Sequence, residues 1–444
     1  MRHDVPPGPR HLLTSLAVAI SLLTTPAKSE ADPVTIRTSM SWFTTATMQS
    51  PVPDSPLNPD NSVAGIESQI GTIDIRPNLK LDSGNFQIVA RPQLKTSTAK
   101  STVNKTESSE HPRSSGRWTE AYGVLTASNK VLVSYGLQNY QWGAAESLNP
   151  SNRIFHETID SKGVMSVVQG RQIARANLSW TKNLTTILMS ETDQVNDINA
   201  FRAEETFQTR SLMKHEVNWN SGADYLGVVY GAPEKGSPWI GGYFNLSLFD
   251  GLTLYGDASQ QRSSEAWYPV LETSSLVSTQ KVVQLRQSKL YDQKTYTIAV
   301  GGLRYSFEGG SDLRFEYLAN SAGWTKDDNK NASIALDTTR NLQLTDYKTN
   351  LKRALLPGLE YRGQKYALIS LRVPDALTFK DLTLYARAMR SLNDFSSIYY
   401  GSLEYGFWSA STLIVSAFMS QGSAETDLRG IVASSVTGGL RQDF

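Results

Sequence analysis

The chain has 444 residues, 43 of them basic and 42 acidic, a balance that carries no electrostatic footprint for nucleic acid. It has no cysteine, which excludes both a disulfide framework and a thiolate metal site. Past residue 31 no stretch is continuously apolar for the length a membrane helix needs, so the mature chain is either soluble after export or crosses a membrane by strands, whose signal is alternation.

Met1–Ala31 reads as a secretory leader. Arg2, His3, Arg10 and His11 form a basic start, Leu12–Leu23 an apolar core too short to span a bilayer, and small residues follow at cleavage spacing at Ala27-Lys28-Ser29 or Ser29-Glu30-Ala31. The remainder, 32–444, reads as one domain. Val34–Phe43 alternates weakly and is expected to be a strand, followed by a Pro-rich loop at Pro51–Asn61. Ile66–Pro77 and Phe86–Gln93 are expected to pair around Asp82-Ser83-Gly84. Lys95–Gly116, a Ser/Thr/Lys run with almost no apolar residue, is expected to be a long mobile loop.

From there one unit repeats: strand, tight turn, strand, longer loop. The expected pairs are Trp118–Ala127 with Val131–Tyr140, Ile173–Trp180 with Leu184–Glu191, Arg210–Trp219 with Tyr225–Gly231, and Trp239–Phe249 with Leu252–Gln260. Three more follow: Tyr296–Phe307 with Asp312–Asn320, Lys365–Val373 with Leu382–Arg390, and Ile398–Phe407 with Ser411–Ser420. Gly, Asn, Asp and Ser dominate the turns because they tolerate the φ > 0 conformations of short hairpins. Between the hairpins lie long connections at Gln141–Gln172, Thr192–Thr209, Gln261–Thr295 and Ser321–Gln364.

The last fifteen residues, Gly430–Phe444, form a closing strand. Val432, Val436, Leu440 and Phe444 share one parity; Ala433, Ser435, Thr437, Gly439 and Arg441 share the other. This ending resembles the assembly signal of Gram-negative outer-membrane β-barrels, with Thr437, Gly439, Leu440 and Phe444 in the matching places and Gln442 departing from it. Short turns at one end and long loops at the other resemble the periplasmic and extracellular ends of such barrels. Tyr140–Asn152 (YQWGAAESLNPSN), which leaves its strand through Trp142-Gly143 without a hairpin turn, is similar to a segment of porin-like and polysaccharide-export barrels that folds over the pore.

The resemblance to the porin-like family implies an all-β, antiparallel up-and-down transmembrane barrel in the outer membrane. Chain ends on the periplasmic side require an even strand number. Eight hairpins, the closing strand and Val34–Phe43 give eighteen, with sixteen as the fallback. It further implies outer-membrane lipid and lipopolysaccharide, the barrel-assembly machinery and small hydrophilic solutes as partners, with homo-oligomer formation possible and no cofactor or metal.

If the apolar parity faces lipid, where a mid-depth Arg or Lys costs about 2–4 kcal/mol, the charged parity faces the lumen. That set holds Arg76, Arg91, Arg175, Lys214, Arg304, Arg314, Arg372, Arg387 and Arg441 against Asp74, Glu120, Glu216, Asp257, Glu316 and Glu404. Nine bases against six acids favour anions weakly, unless the charges pair across the wall. The connection 141–172 is expected to narrow the pore, with Gln141, Glu146, Asn149, Asn152 and Arg153 near the path; the other reading is a surface loop with Trp142 in an aromatic girdle.

The function these features support is a passive channel. A structural or adhesive surface protein and a substrate-specific or polysaccharide-export channel are the alternatives. An enzyme is not expected. Of His111, His156 and His215, the last shares its parity with Met213, Val217 and Trp219, His156 has no serine two residues away, and no metal-ligand spacing, Gly-rich phosphate loop or serine elbow is present.

Overall fold

The computed structural model describes residues 34–444 except 54, 104–105, 156–164, 194–206, 274–280 and 342–346. The leader at Met1–Ala31 and His156 lie outside the described residues.

Among the described residues eighteen strands form one antiparallel sheet that closes on itself. In chain order they begin with β1 (Thr35–Pro51), β2 (Glu67–Ser83), β3 (Phe86–Val103), β4 (Thr106–Ser128), β5 (Val131–Gln138) and β6 (Arg171–Ser179). Then come β7 (Leu184–Asp193), β8 (Arg210–Trp219), β9 (Asp224–Pro233), β10 (Trp239–Phe249) and β11 (Leu252–Arg262). A separate hairpin of β12 (Tyr268–Thr273) and β13 (Lys281–Arg286) stands outside the barrel. The wall resumes with β14 (Thr295–Ser306), β15 (Asp312–Asn320), β16 (Lys365–Val373), β17 (Leu382–Ser391), β18 (Ser397–Trp408), β19 (Ser411–Gln421) and β20 (Val432–Asp443).

Each wall strand pairs with its neighbours in the chain, and β20 returns to β1 with Thr47 opposite Thr437 and Phe43 opposite Arg441. Met40 and Phe444 exchange both backbone hydrogen bonds, at 3.0 and 2.8 Å. Closure leaves no unpaired wall edge, which is what a strand-built structure needs where no water can satisfy its backbone.

The pleat sorts side chains as the alternation requires. On β15 Leu313, Phe315 and Tyr317 are exposed on the outer face, whereas Asp312, Glu316 and Asn320 are buried inside. Exposed aromatics gather at the short-turn end, among them Trp180, Trp219, Phe249, Phe307 and Trp408, where an interfacial belt belongs.

Two expectations are corrected. Lys95–Gly116 is not a loop: Thr96 pairs with Ser114 and Ser101 with Ser108, so β3 and β4 continue as a ribbon beyond the apolar band. A strand standing in water needs no apolar face, and its low hydrophobicity reports exposure rather than lack of structure. The first turn falls one residue later than expected, at Gly84-Asn85, with Gly84 at φ 52°.

The long-loop end also holds more structure than alternation revealed. Between β15 and β16 lie two helices, α1 (Lys326–Asn341) and α2 (Tyr347–Leu355). Thr325 and Asp328 close the start of α1 as a reciprocal cap: the Asp328 N–H donates to Thr325 Oγ1 at 3.1 Å, and the Thr325 N–H to Asp328 Oδ2 at 2.8 Å. Ala332 and Leu336 of α1, Leu351 and Ala354 of α2, Tyr268, Leu285, Trp324 and the Pro-rich loop's Leu57 form one buried apolar cluster at the mouth.

Candidate functional site

The inner wall is not uniformly polar. On β6 to β10, Ile173, Ile187, Met189, Leu212, Val229, Trp239 and Tyr243 turn inward, and Trp142, Ile154 and Phe155 from the connection between β5 and β6 cover them. On β11 to β18, Tyr255, Ile298, Val300, Leu318, Leu368, Met389 and Ile398 form a second apolar surface, against which Ala145 and Leu148 of the same connection pack. Burying a side chain of the size of Leu148 or Ile154 contributes about 1.5–3 kcal/mol, so residues 142–155 are held against the wall by apolar contact.

Polar anchors fix its register against the wall. The N–H groups of Glu146 and Ser147 donate to the two oxygens of Glu316, at 2.5 and 2.8 Å. The Ser151 N–H and hydroxyl donate to Asp257 at 2.6 and 2.9 Å. Tyr361 donates its hydroxyl to the Ser147 carbonyl at 3.0 Å, and the Arg153 guanidinium donates to Gln261. Gly143 is obligatory here: at φ 91°, a Cβ would meet Asn149 and, at 2.8 Å, Asp257. Further along, the Met165 carbonyl accepts from Arg76 at 2.7 Å, and the Gly170 N–H donates to Thr119 at 2.9 Å. The connection therefore touches the inner face on β15 to β17, on β10 and β11, and on β2.

The sequence-derived residues divide by this geometry. Glu316 and Asp257 are buried beneath the connection, exposing 0% and 2% of their surface, and act as its anchors. Asn149 and Asn152 brace the segment itself, through the N–H groups of Ala145 and Phe155, while Gln141 is exposed and bonded to Asn139. Arg175 stacks on Tyr140 at 4.4 Å, and Lys214 lies 5.3–5.5 Å from the rings of Tyr140, Trp142 and Tyr243 with Glu216 at 2.9 Å. Arg76 pairs with Asp74 at 2.8 Å and lies 4.1 Å over Phe43; Arg91 pairs with Glu120 at 3.0 Å and Arg441 with Asp443 at 2.8 Å.

Four arginines fall together. Arg304 is the register partner of Arg314, Arg314 of Ser370, and Ser370 of Arg387, so three guanidinium side chains occupy one cross-strand row on β14, β15 and β17. Arg372 lies two register pairs toward the short-turn end of β16, opposite Asp312. Asp312 accepts from both Arg304 and, at 3.0 Å, Arg314. Above the row the Glu146 carboxylate accepts from Ser370 Oγ at 2.6 Å and from the Tyr385 hydroxyl, with Arg387 Nη1 at 4.0 Å. The alternation of β15 and β16 places Asp312 and Ser370 on the inner face, but neither they nor Tyr385 stand among the residues singled out from the sequence as lining the pore.

At the mouth, a polar staple ties three loops. Asp427 accepts from Gly363 N–H at 3.1 Å, Arg362 Nε at 3.3 Å and the Tyr366 hydroxyl, and its own N–H donates to Asp394 at 2.7 Å. Burial pushes the Asp427 carboxyl above the usual carboxylate range despite Arg362. Burial acts the same way on Asp394, but the hydrogen bonds from Asp427 and Ser396 outweigh it and hold Asp394 below that range. Among the described residues no cluster of His, Asp and Glu could hold a metal.

No protein-family model matches the chain, and no curated protein matches it. Solved structures do. OccAB1 of Acinetobacter baumannii superposes with a TM-score of 0.52 at 12% identity, over 95% of this chain and 99% of that one. OprD of Pseudomonas aeruginosa gives 0.51 at 9%, over 95% and 98%, and a BenF-like porin from Pseudomonas fluorescens Pf-5 gives 0.51 at 9%, over 93% and 99%. At such identities the likeness speaks for the fold alone, which in this chain is a closed antiparallel barrel of 18 strands among the described residues.

Proposed function

We propose that the protein is an outer-membrane channel for passive diffusion of small hydrophilic solutes or ions, narrowed by the connection at 141–172 and weakly selective for anions. The observation that carries this reading is the course of that connection, which touches the inner face of the wall at Glu316, Asp257 and Arg76. A segment laid against the inside of an 18-stranded barrel reduces a wide lumen to a smaller passage. The porin named above lends the same reading by analogy of fold.

The anion preference rests on Arg304, Arg314, Arg372 and Arg387, which lie close together and outnumber the carboxylates beside them, Asp312 and Glu316 of the wall and Glu146 of the connection. Basic groups lining a narrow path favour anions for the reason acidic rings favour cations. The preference is weak because Arg76, Arg91, Lys214 and Arg441 each have a carboxylate partner, and Arg175 is stacked on Tyr140. Purified mature protein in a planar bilayer should give discrete conductance steps and, under a salt gradient, a reversal potential displaced modestly toward that of anions. A barrel that inserts and conducts nothing would favour the surface-protein reading instead.

A further inference from the structure

We propose that the outer face of β16 to β19 carries a seat for one lipopolysaccharide molecule: Lys365 and Arg390 clasp a phosphate of its lipid A at the rim, and an apolar groove below them takes one of its acyl chains. The proposal rests on the outer-membrane part of the reading above and on no property of the lumen.

The groove follows from register. On the outer face Leu371, Ala386, Gly401 and Ala417 stand in one cross-strand row, and Ile369, Ala388, Tyr399 and Met419 in the next row toward the long-loop end. The small residues leave a floor, which Ile369, Leu371 and Met419 border, and the resulting apolar depression measures about 480 Å³. One row further out Ala367 stands opposite Arg390, and the Lys365 carbonyl accepts from the Leu392 N–H at 2.8 Å, so Lys365 is the diagonal neighbour of Arg390. Diagonal neighbours on one face lie about 7–8 Å apart, a gap that two long basic side chains close around a single phosphate.

Both bases are exposed. Arg390 lies 5.3 Å over the ring of Phe395 in the loop between β17 and β18, which keeps the guanidinium at the rim. Among the described residues neither base forms an ion pair, and Asp394 of that loop is bonded instead to Ser396 and to the Asp427 N–H. From Lys365 to Leu371 the strand advances about 20 Å, which at a tilt of about 35–45° is roughly 15 Å of depth, one leaflet of a bilayer whose hydrocarbon core is about 30 Å thick.

In hydrocarbon an apolar groove alone prefers no lipid over another, because every chain is equally apolar. The head group decides. Two bases without a carboxylate at the long-loop end select a phosphate on the outward leaflet, and there the phosphate-bearing lipid is lipopolysaccharide.

The test is native mass spectrometry of full mature protein from phosphatidylcholine vesicles titrated with bisphosphorylated lipid A, with EDTA present so that divalent cations do not bridge phosphates. Heat-modifiable migration checks the folding of each variant. Wild type should retain one lipid A molecule, and dephosphorylated lipid A should be retained no better than phosphatidylcholine. A base near anionic lipid contributes about fivefold, so Lys365→Gln with Arg390→Gln should weaken retention about thirtyfold. Ala388→Leu with Gly401→Leu fills the groove and keeps the bases, and should also weaken retention several-fold; a Cβ at Gly401 meets its nearest atom at 3.8 Å. If either variant retains lipid A as wild type does, the groove and rim do not act together and the proposal is overturned. Wild type that runs as two copies without lipid A, and as one copy once the groove is filled, would make the groove an interface between copies and overturn it too. Conductance in phosphatidylcholine bilayers tests the channel reading separately: protein that conducts but retains no lipid A overturns the seat alone, and protein that retains lipid A but does not conduct supports the seat and removes the channel.

Discussion

Tyr243 on β10 lies across Gly227, its register partner on β9, so closely that a Cβ at Gly227 would collide with the tyrosine ring. Trp239 stands over Gly231, and Tyr255 over Gly302 on β14, in the same relationship. Each aromatic leans over a bare glycine on the neighbouring strand, which lets bulky inward side chains lie flat against the wall and leaves room for the connection above them. We expect Gly227→Ala to destabilise the barrel by about 1–3 kcal/mol, the range of overpacking in a filled core. Gly301→Ala, where a Cβ would meet nothing within 4 Å, should be close to neutral. Urea unfolding in vesicles reads both, and equal stability of the two variants would refute the steric account.

Glu316 and Asp257 together accept four hydrogen bonds from the connection. Charge-assisted bonds to backbone N–H groups are among the stronger ones, about 1.5–3 kcal/mol each. The double variant Glu316→Gln with Asp257→Asn should therefore free the segment from the wall near 146–151 while the apolar contacts of Trp142 and Ile154 remain. Open-channel current noise should rise, and limited proteolysis should cut within 144–152 faster than in wild type. A variant as quiet and as protected as wild type would mean that the apolar contacts alone hold the segment.

Much of this was legible in the chain. The parity of Leu313, Phe315 and Tyr317 against Asp312, Arg314 and Glu316 placed lipid and lumen faces, and turn chemistry at positions such as Asp250-Gly251 placed the hairpins, because a two-residue period is imposed by the backbone itself. Less legible were the inward apolar residues such as Ile298, Val300 and Leu318. They break the polar-inside rule because a second piece of chain covers them, and that covering is a long-range fact. The Thr325-Lys326-Asp327-Asp328 cap and the apolar spacing Ala332, Ala335, Leu336 were local signals for α1 that a search for alternation passes over. Ser370 and Tyr385 gained their place only through Glu146, 224 and 239 residues away in the chain.

Phe444 completes the ladder to Met40 with both backbone bonds, while the residue is 65% exposed on the outer face. Its side chain therefore contributes little packing to the finished wall. Deleting Phe444 should lower the yield of assembled barrel several-fold while changing the unfolding midpoint of the fraction that does assemble only slightly. Heat-modifiable migration in membrane fractions measures the first and urea titration the second. Wild-type assembly yield would remove the terminal residue from any role as a signal.

The arginine row makes the last claim. Arg314 is bonded to Asp312 and exposes 26% of its side chain, and Arg372 is exposed on the next strand opposite the same aspartate. Within a narrowed lumen these charges act over less than the Debye length, about 8 Å at physiological salt, so screening does not erase them. Removing both leaves Arg304 and Arg387 facing Asp312, Glu316 and Glu146, which turns a net positive cluster into a net negative one. Arg314→Ala with Arg372→Ala should therefore move the reversal potential toward cations under a salt gradient, and the shift should shrink at molar salt, where the Debye length falls to about 3 Å. The Asp312→Asn variant should move it the opposite way, because the same arginines then lose a wall partner. If neither substitution moves the reversal potential while both change thermal stability, the cluster braces β14 to β17 and the ions pass elsewhere.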